Sequence, residues 1–133
     1  MVMGVATGLD HSQEMIGLAH ERAPAAEVVQ GTAERLPFPD ASFTAIAMSI
    51  VFMFLPKPLT TLRECHRVLE PGGRIALYTT SPTLRGTPAA PEPLASRSHF
   101  YEKAELTALA RTAGFRDVAI ADDNGGQLLT ASA

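Results

Sequence analysis

The first residue in this sequence with chemistry in its placement is Asp10. The stretch Val2 to Leu9 is apolar and built of small residues, and it stops at that acid. A carboxylate at the carboxyl end of a parallel strand lies beside the crevice where open α/β sheets bind ligands. There it can accept hydrogen bonds from both hydroxyls of a ribose. The same carboxylate could instead cap the helix that follows, and the local pattern leaves both roles open.

Other reactive side chains are scattered. Cys65 and His66 are neighbours on a helix, where adjacent residues point in different directions, so they do not make a metal site. Cys65 reads as core and His20 as surface. His99 follows a proline-rich segment and could face a substrate. No Ser/His/Asp set has a local signature, and no catalytic residue is assigned from the sequence. One cysteine excludes an internal disulfide and fits a reducing compartment.

The elements that must position these residues follow from periodicity. Val2 to Leu9 reads as a buried strand. Ser12 to Arg22 reads as an amphipathic helix, with Met15, Ile16, Leu18 and Ala19 on one side and Asp10 or Ser12 as N-cap. Glu27 to Gln30 is a second strand, closed by Gly31. Arg35 to Ser42 holds two prolines and is a loop. Phe43 to Ser49 is continuous enough to be a central strand covered on both faces. Pro58 to Leu69 returns to helical period, with Leu59, Leu62, Cys65 and Leu69 on one stripe. Pro71-Gly72-Gly73 then reads as turn chemistry ending that helix, before a strand over Arg74 to Thr79.

Residues Ser81 to Ser98 hold four prolines and show no period, which suggests a long loop or lid. Glu102 to Ala113 is a helix, with Gly114 where a left-handed residue is wanted. Val118 to Ala121 and Gln127 to Ser132 flank Asn124-Gly125, a hairpin signal. Strands alternating with helices imply an α/β fold with a mainly parallel sheet and a C-terminal antiparallel hairpin.

Composition narrows the function. The 133 residues suit one domain, and 46% of them are apolar. A net charge of −3 does not suggest a nucleic-acid surface. The apolar stretch Phe43 to Leu55 is shorter than the roughly 20 residues a membrane span needs. There is no basic segment followed by an apolar stretch at the N-terminus, so the cytoplasm is the expected compartment.

Three blocks stand in order. They are Gly8-Leu9-Asp10-His11-Ser12-Gln13-Glu14-Met15, then Gly31-Thr32-Ala33-Glu34-Arg35-Leu36-Pro37-Phe38-Pro39-Asp40-Ala41-Ser42-Phe43, then Arg67-Val68-Leu69-Glu70-Pro71-Gly72-Gly73. Together they resemble the type-11 branch of the class I S-adenosylmethionine-dependent methyltransferases. Tyr101 to Phe115 also resembles that family's late helix. The resemblance implies a Rossmann-like methyltransferase fold and methyl transfer from S-adenosylmethionine to a small-molecule acceptor. It implies that Asp10 holds the ribose hydroxyls and that His11 and Met15 flank the adenosine. It places Thr32, Ala33 and Glu34 in the loop that touches adenine, and Ser49 beside the methionine part. The sequence itself suggests no metal, no nucleic-acid partner and no membrane. The resemblance makes residues 1–133 a single, partial methyltransferase domain, with 81–98 as a proline-rich loop on the substrate side.

The sequence departs from the family in three places. Thr32 and Thr44 stand where the family has Asp. The third departure is at the front: the family opens with a strand and a glycine-rich loop, D-x-G-x-G-x-G, which Gly4 and Gly8 do not rebuild. The chain is therefore expected to be N-terminally truncated. Loss of that central strand would leave strand edges unpaired, so the sheet closes up, another chain fills the gap, or the gene product is longer. A homodimer burying both edges needs no repacking and is the favoured arrangement. Weak donor binding is expected. The rival reading is a non-catalytic, methyltransferase-like domain with weak or no cofactor binding. A nicotinamide-dependent dehydrogenase shares the acid at the strand end but lacks the Leu-Pro-Phe and Pro-Gly-Gly contexts.

Overall fold

The computed structural model describes residues 5–133, so the start of the strand expected from Val2, with Gly4, lies outside the described residues. The chain divides into two compact units, Met1–Pro37 and Phe38–Ala133.

The first unit is a βαβ crossover. Strand β1 spans Thr7–Asp10, helix α1 spans Gln13–Arg22 and strand β2 spans Glu27–Gln30. The two strands pair in parallel, with Asp10 opposite Gln30. Ser12 is the N-cap of α1, its hydroxyl accepting from the Met15 N–H at 3.3 Å. Of the apolar stripe read from the sequence, Ile16 is buried, whereas Met15 and Leu18 are exposed.

The second unit holds a four-stranded sheet in the order β3-β4-β6-β5. Strand β3 covers Phe43–Ser49, followed by a short 3-10 turn, Phe52–Phe54, and helix α2 over Pro58–Val68. Strand β4 runs Leu69–Thr80. A second 3-10 turn, Pro82–Leu84, and a short helix α3, Leu94–Arg97, give the 81–98 segment local order that its lack of period did not reveal. Helix α4 spans Lys103–Thr112, and strands β5 (Arg116–Asp123) and β6 (Gly126–Ser132) close the chain. Strands β3 and β4 are parallel, while β6 lies antiparallel between β4 and β5. The fold is thus the α/β, Rossmann-like arrangement with a C-terminal antiparallel hairpin.

Two sequence expectations change. Strand β3 is not central: among the described residues it pairs with β4 alone, and none of its residues is fully buried. Its run of apolar residues mimics an inner strand because Ala45 and Ala47 are small enough to sit exposed at little cost. Nor does Pro71-Gly72-Gly73 cap the preceding helix. Leu69 enters the strand at once, opposite Phe43, and the next pairing is Ala45 with Arg74. The Pro-Gly-Gly residues are looped out between these pairs as an irregularity inside β4. Gly72 takes φ +81, and a Cβ on Gly73 would sit 2.9 Å from the Glu70 carbonyl oxygen and 3.1 Å from that of Thr44. The two glycines are needed for conformation and for backbone approach respectively.

The expected turn at Gly114 is present. Its N–H donates to the Arg111 carbonyl and the Phe115 N–H to that of Ala110, both at 3.0 Å, which is the Schellman pattern. Arg67 ties the loop before β3 to α2. Its guanidinium reaches Glu64 at 2.7 and 3.1 Å, Asp40 at 2.9 Å and the Phe38 carbonyl at 2.9 Å. These partners raise its pKa further, so it stays charged at any working pH.

The core of this unit includes Phe52, Met53, Leu62, Cys65, Ile75, Leu77, Leu106 and Leu129. Burial, with Glu64 nearby, pushes the Cys65 thiol up from 9.0 to about 12. Since the thiolate is the reactive form, Cys65 should resist alkylation by iodoacetamide at about pH 8 until the chain unfolds. The raised value also gives stability a sign. Below the unfolded pKa both states keep the proton. Between that value and about 12 the unfolded chain releases a proton that the folded chain holds. Stability should therefore fall as pH rises through this window, and urea midpoints of Cys65→Ala should fall less. Native alkylation as fast as denatured alkylation would contradict both expectations.

Candidate functional site

The candidate residues sit at carboxyl ends of parallel strands. In the first unit Asp10 ends β1. Its Oδ1 accepts from the Ser12 N–H at 2.9 Å, and its side chain is 40% exposed. The capping role and the ligand role are therefore not exclusive. Ser12 caps the helix, Asp10 orders the turn before it, and the carboxylate keeps acceptor capacity facing solvent. The two strand ends are tied together, since the Gly31 N–H donates to the Asp10 carbonyl at 3.0 Å. Gln30 also holds the His11 carbonyl at 3.2 Å, leaving the His11 side chain in solvent. Met15 is exposed one turn into α1.

Past β2 the chain forms a tight turn. The Arg35 N–H donates to the Thr32 carbonyl at 3.3 Å, and the Glu34 N–H to the Thr32 hydroxyl at 3.2 Å. The threonine oxygen thus orders the turn, as a carboxylate there would. Ala33 and Glu34 are half-buried, and Thr32 is exposed. Asp10, His11, Met15, Thr32, Ala33 and Glu34 therefore all belong to the first unit. Asp10 and the 32–34 turn lie at the same end of its parallel pair.

In the second unit Ser49 ends β3, opposite Tyr78. The next residue, Ile50, adopts φ +55, and its N–H donates to the Tyr78 carbonyl at 3.0 Å. A β-branched residue in the left-handed region is strained, at a cost on the order of 1–3 kcal/mol. Ile50, Val51 and Phe54 are exposed there, at 46%, 42% and 44%. At the end of β4 the hydroxyls of Thr79 and Thr80 are buried without a hydrogen-bond partner among the described residues. Strain, exposed apolar groups and unpartnered hydroxyls thus gather where β3 and β4 end.

One group there was only half visible in the sequence. His99 Nε2 lies 3.1 and 3.0 Å from the two Glu105 carboxylate oxygens. The ring packs at 4.2 Å from that of Tyr101, and the His99 N–H donates to the Met53 carbonyl at 2.9 Å. Burial and the Glu105 charge raise the pKa of Tyr101. The sequence marked His99 alone. Its partner is six residues on, inside a helix, where no periodic signal links the two. Among the described residues there is no cluster of three or more His, Cys, Asp or Glu suited to a metal ion, and no helix is long and apolar enough to cross a membrane.

Residues 2–77 match the family described as Methyltransferase domain, and the chain belongs to that family. Among its relatives, the demethylmenaquinone methyltransferase of Listeria welshimeri is 39% identical over 83 residues, covering 59% of this chain and 35% of the relative. The demethylmenaquinone methyltransferase of Geobacillus stearothermophilus is 36% identical over 89 residues, covering 62% and 38%. The matched stretch thus spans little more than a third of the relatives' length. The fold is similar to that of a SAM-dependent methyltransferase from Thermotoga maritima, with a TM-score of 0.83 at 21% identity, covering 96% of this chain and 72% of that one. A SAM-dependent methyltransferase from Aquifex aeolicus gives 0.79 at 24%, covering 97% and 69%.

Proposed function

We propose that the protein transfers a methyl group from S-adenosylmethionine to a small-molecule acceptor. The carrying observation is Asp10, a solvent-facing carboxylate at the end of a parallel strand with acceptor capacity left after ordering its own turn. That arrangement fits a ribose diol, which needs an acceptor rather than a cation. The exposed Thr32–Arg35 turn fits a flat base, offering backbone groups and a half-buried Ala33.

In this reading Asp10 binds the ribose, and His11 and Met15 flank the adenosine. Residues Thr32, Ala33 and Glu34 meet the adenine, and Ser49 borders the amino-acid end. The bound donor supplies an electrophilic methyl on a sulfonium. The protein's residues hold it in line with the acceptor and exclude water, since such a displacement depends chiefly on proximity and alignment. Residues 1–133 act as a single domain, with residues 81–98 as the loop on the acceptor side. A homodimer in the cytoplasm is the working assembly, because β1 and β3 each leave one edge unpaired among the described residues.

The test is calorimetric titration with S-adenosylhomocysteine. Saturable binding with a constant tighter than about 1 mM, near −4 kcal/mol, is expected. No heat at that concentration would overturn the donor assignment.

A further inference from the structure

We propose that Asn124 is a site of spontaneous deamidation, and that the isoaspartyl form it yields frees the start of the 81–98 segment from the β5–β6 hairpin. This chemistry stands apart from methyl transfer and needs no cofactor. Asn124 is the chain's single asparagine, and a glycine follows it. The main-chain nitrogen of that glycine attacks the asparagine Cγ, a new carbon–nitrogen bond forms and ammonia leaves, which closes a succinimide ring. Water then opens the ring at either carbonyl, giving aspartate or isoaspartate. Water is the only co-reactant, and nothing is oxidised or reduced.

The hairpin leaves both reacting groups free. The Asn124 side chain is exposed and has no hydrogen-bond partner among the described residues. The Gly125 N–H, which supplies the nucleophile, is likewise unpartnered among them. Glycine has no side chain to obstruct the attack. What opposes it is conformation. Asn124 takes φ +43 and Gly125 φ +87, the left-handed pair of a two-residue turn, whereas the attack needs a more extended Asn124. The reaction therefore runs through local opening of the turn, which exposed loop tips undergo readily. Leu84 limits that opening. Its side chain lies over Gly125, where a Cβ would meet Leu84 Cδ2 at 2.6 Å.

The consequence follows from what the turn holds. The Gly125 carbonyl accepts from the Ser81 N–H at 2.8 Å, and Leu84 packs on the same glycine. On the other side of the turn the Tyr78 hydroxyl donates to the Asp123 carbonyl at 3.3 Å. An isoaspartate carries its main chain through Cβ and Cγ, so an extra carbon enters between residues 124 and 125. Asp123 keeps its bond to Tyr78, and Gly125 is displaced from Ser81 and Leu84. The 81–98 segment then loses its two contacts with the hairpin tip.

The test is incubation of the native chain in mildly alkaline buffer, then trypsin digestion and mass spectrometry of the peptide from Asp117 to Ala133. That peptide should gain the mass difference between a hydroxyl and an amine group, and electron-transfer fragmentation should find isoaspartate in it. Backbone amide NMR signals of residues 81–85 should shift in step with the conversion. Leu84→Ala should speed it several-fold, because the turn opens more often. Asn124→Gly keeps the positive φ without the carboxamide and should show neither change. Freshly purified Asn124→Asp adds the charge without the extra carbon, so its 81–85 signals should match those of the native chain. A native chain that gains no mass while the urea-unfolded chain does would overturn the site. Isoaspartate formation that leaves the 81–85 signals unmoved would overturn the release.

Discussion

Replacing Phe52 with Ala should destabilise the protein by about 3–5 kcal/mol, the range for deleting a buried aromatic ring. Phe52 is fully buried in the turn that leaves β3, and its ring centroid lies 5.0 Å from that of Tyr101. Tyr101 is buried as well, and its carbonyl accepts from the buried Gln127 side chain at 2.8 Å. Removing the ring therefore leaves a void bounded by the β3 exit and the segment entering α4. Neither side can collapse freely. The exit is held by the backbone bond from His99 to Met53, and the segment by the Gln127 bond. Against a typical stability of about 5–15 kcal/mol, such a loss is large. Urea denaturation should show a lower midpoint with little change in slope. A loss under about 1 kcal/mol would mean that Phe52 is not the packing anchor it is taken to be. His99 should also lose its fixed position in this variant, so its ring signals should broaden or shift.

The parts of the fold that were legible are those whose signal is local. The bounds of β2 follow from a short apolar run closed by Gly31, and those of β3 from a run that reaches Ser49. The hairpin follows from Asn124-Gly125, where both residues take positive φ, and the end of α4 follows from Gly114. What was not legible depends on partners distant in sequence. The run Phe43–Ser49 reads the same whether it lies at a sheet's edge or its centre, since hydrophobicity reports burial only on average. The Pro-Gly-Gly bulge looks like a helix stop because both uses want the same residues. It is identified by Ala133, whose carbonyl accepts from the Gly72 N–H and whose own N–H donates to Gly73. The strand-end acid was visible because position and residue type coincide within ten residues. The His99–Glu105 pair was not, because its meaning lies in the bend between a loop and a helix.

The Asp10 carboxylate gives the sharpest test of the proposed function, because two substitutions separate its two jobs. Asp10→Asn keeps a carbonyl oxygen to accept the Ser12 N–H, now at 2.9 Å. It removes the negative charge and puts an amide donor where a ribose hydroxyl needs an acceptor. Hydrogen bonds to a charged group contribute about 1.5–3 kcal/mol, so affinity for S-adenosylhomocysteine should fall roughly 10- to 150-fold. The melting temperature should hardly move, because Ser12 still caps α1. Asp10→Ala should lose the same affinity and also the turn contact, which lowers the melting temperature. A carboxylate that only ordered the turn would give the opposite pattern: normal affinity in both variants, with lost stability confined to Ala. Affinity unchanged in Asp10→Asn would therefore remove Asp10 from the ligand site, whatever the melting curves show.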